Sequence, residues 1–129
     1  MIVLDTHALL WFVTADQRLN PQLRQALESE PFDVWVPTIC FWEAVLLQQR
    51  GRIQFHGGDL GRELPSAVRA VGFQEAPLTA EVAVLSRTLA FAHEDPADRF
   101  IAATAYALGA QLATSDQRLR ELPWIKMAY

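Results

Sequence analysis

Four carboxylates, Asp5, Glu43, Asp98 and Asp116, each fall where a short apolar run gives way to a helix-like stretch, or one turn into that stretch. In an open parallel sheet such positions converge on the crevice outside the carboxyl ends of the strands. Carboxylates gathered there repel one another unless protons or a divalent cation neutralise them. With only oxygen donors on offer, the set selects hard cations, Mg2+ or Mn2+, over zinc. The chemistry that suits it is phosphodiester hydrolysis, in which the cation polarises the phosphoryl group, lowers the pKa of a bound water and stabilises the leaving oxygen.

Each acid is weighed against a purely structural role. Asp5 and Asp116 can cap the helices that follow them, at about 1 kcal/mol each. Asp98 lies three residues after Asp95 and can complete a capping box or favour the positive helix end, while Asp95 reads mainly as a cap. Glu43 has no such explanation. Flanked by Phe41, Trp42, Ala44 and Val45, it would be costly to desolvate unless paired or bound to a cation. A buried ion pair with Arg99 is the alternative, but it leaves the strand-end placement of the other acids unexplained. His7 and His93 are close enough in sequence to assist the acids, or are polar loop residues.

The elements that must position these groups follow from local pattern. Met1 to Leu4 reads as a buried strand, followed by a short helix from Ala8 to Val13. Asn20-Pro21 is a cap followed by proline at the first helical position, opening a helix to about Ser29. A second strand, Val34 to Val36, closes at Pro37, and Thr38 is expected to cap a helix ending before Gly51. Gly51 to Gly61 reads as a loop. A helix from about Glu63 to Val71 stops at Gly72, with a weak strand from Phe73 to Ala76. Thr79 caps the next helix, to about Leu89. Asp95-Pro96 repeats the cap-plus-proline signature and opens a buried helix ending at Gly109. Gln111 to Thr114 is a strand, Asp116 to Leu122 a short helix, and Trp124 to Met127 a fifth strand. Five strands alternating with helices imply an α/β sandwich with a mainly parallel sheet.

At 129 residues, 51% hydrophobic and 20% charged, the chain has the profile of one ordinary globular domain and excludes disordered and fibrous classes. No apolar run approaches the roughly 18 residues needed to span a bilayer, and the first residues lack a signal-peptide pattern, so the expectation is a cytoplasmic protein without a membrane partner. The single cysteine, Cys40, permits no internal disulfide and reads as a small apolar residue on the inner face of a helix. A net charge of -4 argues against nucleic-acid binding by bulk electrostatics. It leaves room for binding through a cation in an acidic cleft and arginines at its rim, and ten of the eleven basic residues are Arg.

The stretches Met1 to Trp11 (MIVLDTHALLW), Trp42-Glu43, Asp95 to Ala105 (DPADRFIAATA) and Thr114-Ser115-Asp116 resemble the PIN domain, and more narrowly the VapC-type ribonuclease toxins of prokaryotic toxin-antitoxin pairs. The resemblance implies a three-layer α/β/α sandwich around a five-stranded sheet, a single domain over residues 1–129, and Mg2+- or Mn2+-dependent endoribonuclease activity on RNA. It further implies a homodimer and inhibition by a small cognate antitoxin. Carried over by position, Asp5, Glu43, Asp98 and Asp116 would hold the metal. Thr6 would orient Asp5, Arg99 would be a helix-surface partner, and Asp95 would take a secondary part. The segment around His56-Gly57-Gly58 departs from the family pattern.

Other classes of protein compete for this pattern. A phosphotransfer receiver domain needs an Asp ending its third strand, and Phe73 to Leu78 has none; a haloacid-dehalogenase-type phosphatase needs Asp where His7 stands. The remaining alternatives keep the fold: a housekeeping RNA-processing nuclease, or an interaction protein with an unused site. In the latter Trp11, Phe12, Phe41 and Trp42 would form a partner surface rather than fill the core. In a toxin, Trp11, Phe12 and Trp42 would form part of the antitoxin's groove.

Overall fold

Parallel strands covered on both faces need apolar residues in succession, because neighbouring side chains point to opposite sides. The chain supplies such pairs. In the computed structural model, which describes residues 1–129, Val3 and Leu4 are both fully buried, as are Leu112 and Ala113. They belong to strands β1 (Ile2–Leu4) and β4 (Gln111–Ala113); the others are β2 (Val34–Pro37) and β3 (Gln74–Ala76). Every pairing is parallel and the order is β3-β2-β1-β4, with Val3 opposite Trp35 on one side and Leu112 on the other. Helices α1 (Thr6–Val13), α2 (Pro21–Ser29), α3 (Thr38–Gln49), α4 (Leu60–Val71), α5 (Ala80–Thr88), α6 (Pro96–Leu108) and α7 (Gln117–Arg120) complete the α/β sandwich.

This order determines where a site can form. From β1 the chain steps to β2 and β3 on one side, then returns to β4 on the other, so the crevice lies between the carboxyl ends of β1 and β4. The Asp5 N–H donates to Ala113 O at 3.1 Å, carrying the β1–β4 ladder to the edge of that crevice. Behind it, α6 packs on β1, β2 and β4 through Ile101, Ala102 and Ala105, all fully buried, and also contacts α3 and α5. Cys40 is buried with its thiol directed at Leu4 O, 3.6 Å away. Burial pushes that thiol well above its ordinary range, so it acts as a small apolar residue and not as a nucleophile.

The sheet has four strands, not the expected five. Residues 123–125 are spent on a turn, and Trp124 leaves the sheet to stack edge-on against Phe91 and Tyr106, with its indole N–H donating to Ala90 O at 3.0 Å. Only Met127 reaches β4, as a single bridge to Leu112. Three helix starts also differ from expectation. α1 begins at Thr6, ahead of Ala8, because the Asp5 carboxylate caps it by accepting the Ala8 N–H at 2.8 Å. Thr38 is the first residue of α3 and caps nothing; Pro37 takes the cap position without a side-chain bond. α4 begins at Leu60, inside the expected loop, because Asp59 accepts the Arg62 N–H. Gly72 and Gly109 end α4 and α6 in the left-handed conformation, at φ of 91° and 63°, where a side chain would be strained.

Candidate metal centre

Capping and clustering turn out to be compatible uses of the same carboxylates. Asp5 caps α1, Asp95 caps α6 by accepting the Asp98 N–H at 3.3 Å, and Asp116 caps α7 by accepting the Arg118 N–H at 2.9 Å. In each case the cap bond occupies one oxygen; the second oxygen of Asp116 accepts from Arg118 Nη2 at 3.1 Å. Glu43 sits one turn into α3, half-buried, and forms neither a hydrogen bond nor an ion pair. The ion pair with Arg99 does not exist.

Glu43, Asp95 and Asp98 come together most closely, each offering an oxygen within 4.8 Å of the others'. Asp95 thus stands in the cluster while it caps α6. Asp116 joins this group through Arg118, whose guanidinium lies 3.1 Å from Asp116 Oδ2 and 3.6 Å from Asp98 Oδ2. Asp5 lies at the floor of the crevice, close enough to Glu43 for the two charges to repel. Thr114 links the two strand ends. Its hydroxyl accepts the Asp116 N–H at 3.0 Å and also lies beside the Asp5 carboxylate.

The electrostatics are those of a site with too much negative charge. Asp5 is raised above the ordinary carboxylate range, chiefly by burial, with Glu43 adding to the rise and Thr114 and the Ala8 N–H opposing it. Asp98 is pushed up to about 6, again first by burial, then by the charge of Asp95, while contact with His93 opposes the shift. Asp116 behaves oppositely: burial pushes it up, but the side-chain and backbone bonds from Arg118 outweigh that and leave it lowered. Carboxylates raised in this way favour any cation that neutralises them, and the donor set is oxygen only, so the residues fit a hard divalent cation.

Two residues do something other than expected. Arg99 is not on the helix surface: it is 6% exposed, its Nε donates to Ser86 O at 2.7 Å and its Nη1 to His93 O at 3.1 Å, and its guanidinium lies 4.5 Å from the centre of the Phe91 ring. Ser86 lies in the last turn of α5, where carbonyls lack helical partners, which is what draws the guanidinium inward. Arg99 thereby fixes the segment that delivers His93 Nε2 to Asp98 Oδ2, 3.2 Å away. Thr6 points into the core beside Cys40, 1% exposed, and makes no hydrogen bond to Asp5; Ala8 and Thr114 orient that carboxylate.

Sequence reasoning left Thr114 as part of a motif and overlooked Arg118. Their signals are local: a hydroxyl two residues before Asp116 and an arginine two residues after it, spacings at which short polar side chains bond nearby backbone and charged neighbours meet. His7 is exposed, with its ring centre 6.0 Å from that of Trp11. Of the four aromatics, Trp11, Phe12 and Phe41 pack partly against the core, whereas Trp42 is 56% exposed.

A family model of the PIN domain matches residues 2–125. The chain belongs to the PIN domain family. Among curated relatives, ribonuclease VapC22 of Mycobacterium tuberculosis (strain ATCC 25618 / H37Rv) is 35% identical over 121 residues, covering 92% of this chain and 89% of that protein. The PIN fold is shared with solved structures at lower identity. FitAB bound to an IR36 DNA fragment matches with a TM-score of 0.70 at 20% identity, covering 99% of this chain and 94% of that one. A toxin-antitoxin complex from Klebsiella pneumoniae matches with a TM-score of 0.65 at 18% identity, covering 100% and 98%. No helix of this PIN domain is long and apolar enough to cross a membrane.

Proposed function

We propose that this chain is a divalent-cation-dependent endoribonuclease, a single PIN domain over residues 1–129, acting in the cytoplasm as the toxin of a toxin-antitoxin pair. The observation that carries the reading is the convergence of Glu43, Asp95 and Asp98 within 4.8 Å, flanked by Asp5 and Asp116 at the β1–β4 crevice. Kinship with a ribonuclease and likeness to toxin-antitoxin complexes support the biological half.

Asp5, Glu43, Asp98 and Asp116 would hold Mg2+ or Mn2+, with Asp95 beside them. A bound cation supplies Lewis-acid polarisation of the phosphoryl oxygen and a water of lowered pKa. The remaining work belongs to the chain. Thr114 and the α1 N-terminus hold Asp5 in place, and Arg99 holds the backbone of His93. His93 Nε2, 3.2 Å from Asp98 Oδ2, would help to orient that carboxylate.

The antitoxin, a small protein encoded beside the toxin, would block the crevice by placing a basic side chain among the carboxylates. Its apolar residues would enter the cavity of about 610 Å3 between α1 and the segment before α4, lined by His7, Leu10, Trp11, Ile53 and Phe55. Trp42 is exposed for contact, either with that partner or with the second copy of a homodimer. Expression of the chain alone is the test. It should arrest growth, and co-expression of the neighbouring small protein should relieve the arrest. A folded, abundant chain that leaves growth untouched would favour a housekeeping RNA-processing nuclease.

A further inference from the structure

Arg118 is the one arginine whose guanidinium reaches the carboxylates of the crevice. Its backbone N–H and Nε both donate to Asp116 Oδ1, at 2.9 and 3.3 Å, and its Nη2 donates to Asp116 Oδ2 at 3.1 Å. The same Nη2 lies 3.6 Å from Asp98 Oδ2, one of the two oxygens through which Asp98 could hold the cation. More than half of its side chain is exposed, so the guanidinium stands at the rim and can turn outward without unpacking the core. Asp98 itself is 14% exposed and held by α6, so it is the arginine that must yield.

We propose that Arg118 is an exchangeable counter-cation, neutralising Asp98 and Asp116 until a divalent cation takes its place at Asp98, and then contacting a phosphate of the RNA from the rim of the crevice. The planar guanidinium fork suits both acceptors, since carboxylate and phosphate oxygens present the same bidentate geometry. Its backbone N–H, which donates to Asp116 Oδ1 at 2.9 Å, keeps it beside the site after the guanidinium is released. The inference rests on the metal-site reading above and adds a residue whose removal acts in opposite directions on cation and substrate.

Arg118→Gln is compared with wild type in two measurements on the full chain: Mn2+ affinity by electron paramagnetic resonance at low ionic strength, and KM for a single-stranded oligoribonucleotide at saturating Mn2+. Loss of an internal competitor should tighten Mn2+ binding by about two- to fivefold, the range of partly exposed ion pairs. Loss of the phosphate contact should raise KM by about tenfold. Arg18→Gln, which removes the same kind of aspartate-bound arginine away from the cluster, should leave Mn2+ affinity unchanged. An Arg118→Gln protein with native circular dichroism and unchanged Mn2+ affinity, or with unchanged KM, overturns the proposal. If neither wild type nor variant binds Mn2+, the metal-site reading fails and the inference falls with it. If both bind Mn2+ and cut no RNA, the nuclease reading fails, and the Mn2+ comparison alone decides whether Arg118 competes.

Discussion

The tetrapeptide Asp-Gln-Arg-Leu occurs twice, in a turn at residues 16–19 and at the start of α7 at residues 116–119, and makes the same aspartate–arginine clamp each time. In both copies the arginine N–H, Nε and Nη2 donate to the aspartate two residues earlier, and the leucine is buried. Their surroundings differ. Asp16 meets no other carboxylate; Arg18 holds it down to about 2 and lays its own guanidinium 5.1 Å from the centre of the Trp11 ring. Asp116 follows β4, at the crevice, and Arg118 extends past it to Asp98. Local sequence is sufficient to make the clamp, but topology alone decides whether it stands among other charges. A carboxylate–arginine pair becomes part of a site only when the strand order brings further acids to it.

The sharpest way to break that comparison is to remove carboxylates from each region. Asp5→Asn or Asp98→Asn should lower ribonuclease turnover by about 10²–10³-fold or more, the scale of losing a preorganised electrostatic group. Asp16→Asn should retain wild-type turnover. A loss of activity in Asp16→Asn as large as in Asp98→Asn would erase the distinction between the two copies.

Next in size is the response to pH. Asp98 titrates near 6 in the folded protein and near the ordinary carboxylate value when unfolded, so the folded state favours its protonated form. Stability of the metal-free protein should therefore fall as pH rises from about 4 to about 6, with Asp5 shifted in the same sense. Asp98→Asn should flatten this decline and stabilise the metal-free protein at pH 7. The Asp16–Arg18 clamp has the opposite sign: its lowered aspartate contributes stability above about 4 that is lost only as pH falls toward 2. Urea denaturation in chelator from about pH 2 to about pH 7 checks both directions. Metal-free stability that rises between pH 4 and 6 would contradict the shift at Asp98.

The smallest effect separates capping from clustering at one residue. Asp116→Ala should cost about 1 kcal/mol through loss of the α7 cap, whereas Asp116→Asn, which retains an oxygen for the Arg118 N–H, should cost less than half of that. If the two variants are equally destabilised, the cap is not what Asp116 contributes to stability.

Much of this arrangement was legible in the sequence, because local signals and tertiary placement agree. Asn20, Thr79 and Asp95 cap the helices they are expected to cap, and the four acids stand where apolar runs give way to helices or one turn into those helices. Failures occurred where a distant partner overrode local pattern. Trp124 reads as a strand residue, yet Phe91, Tyr106 and the Ala90 carbonyl draw it from the sheet. Arg99 reads as a surface residue of α6, yet the free carbonyls of Ser86 and His93 turn it inward. The close placement of Asp95 beside Glu43, and the reach of Arg118 to Asp98, depend on how α3, α6 and α7 meet, which no single stretch of sequence encodes.

The central claim is that the crevice carboxylates hold the cation on which RNA cleavage depends. Cleavage of a single-stranded RNA by the purified chain, followed in excess EDTA and again after Mn2+ is restored, tests it most directly. The account predicts no cleavage in chelator, recovery with Mn2+ or Mg2+ in wild type, and no recovery in Asp98→Asn. Full cleavage in chelator would contradict it.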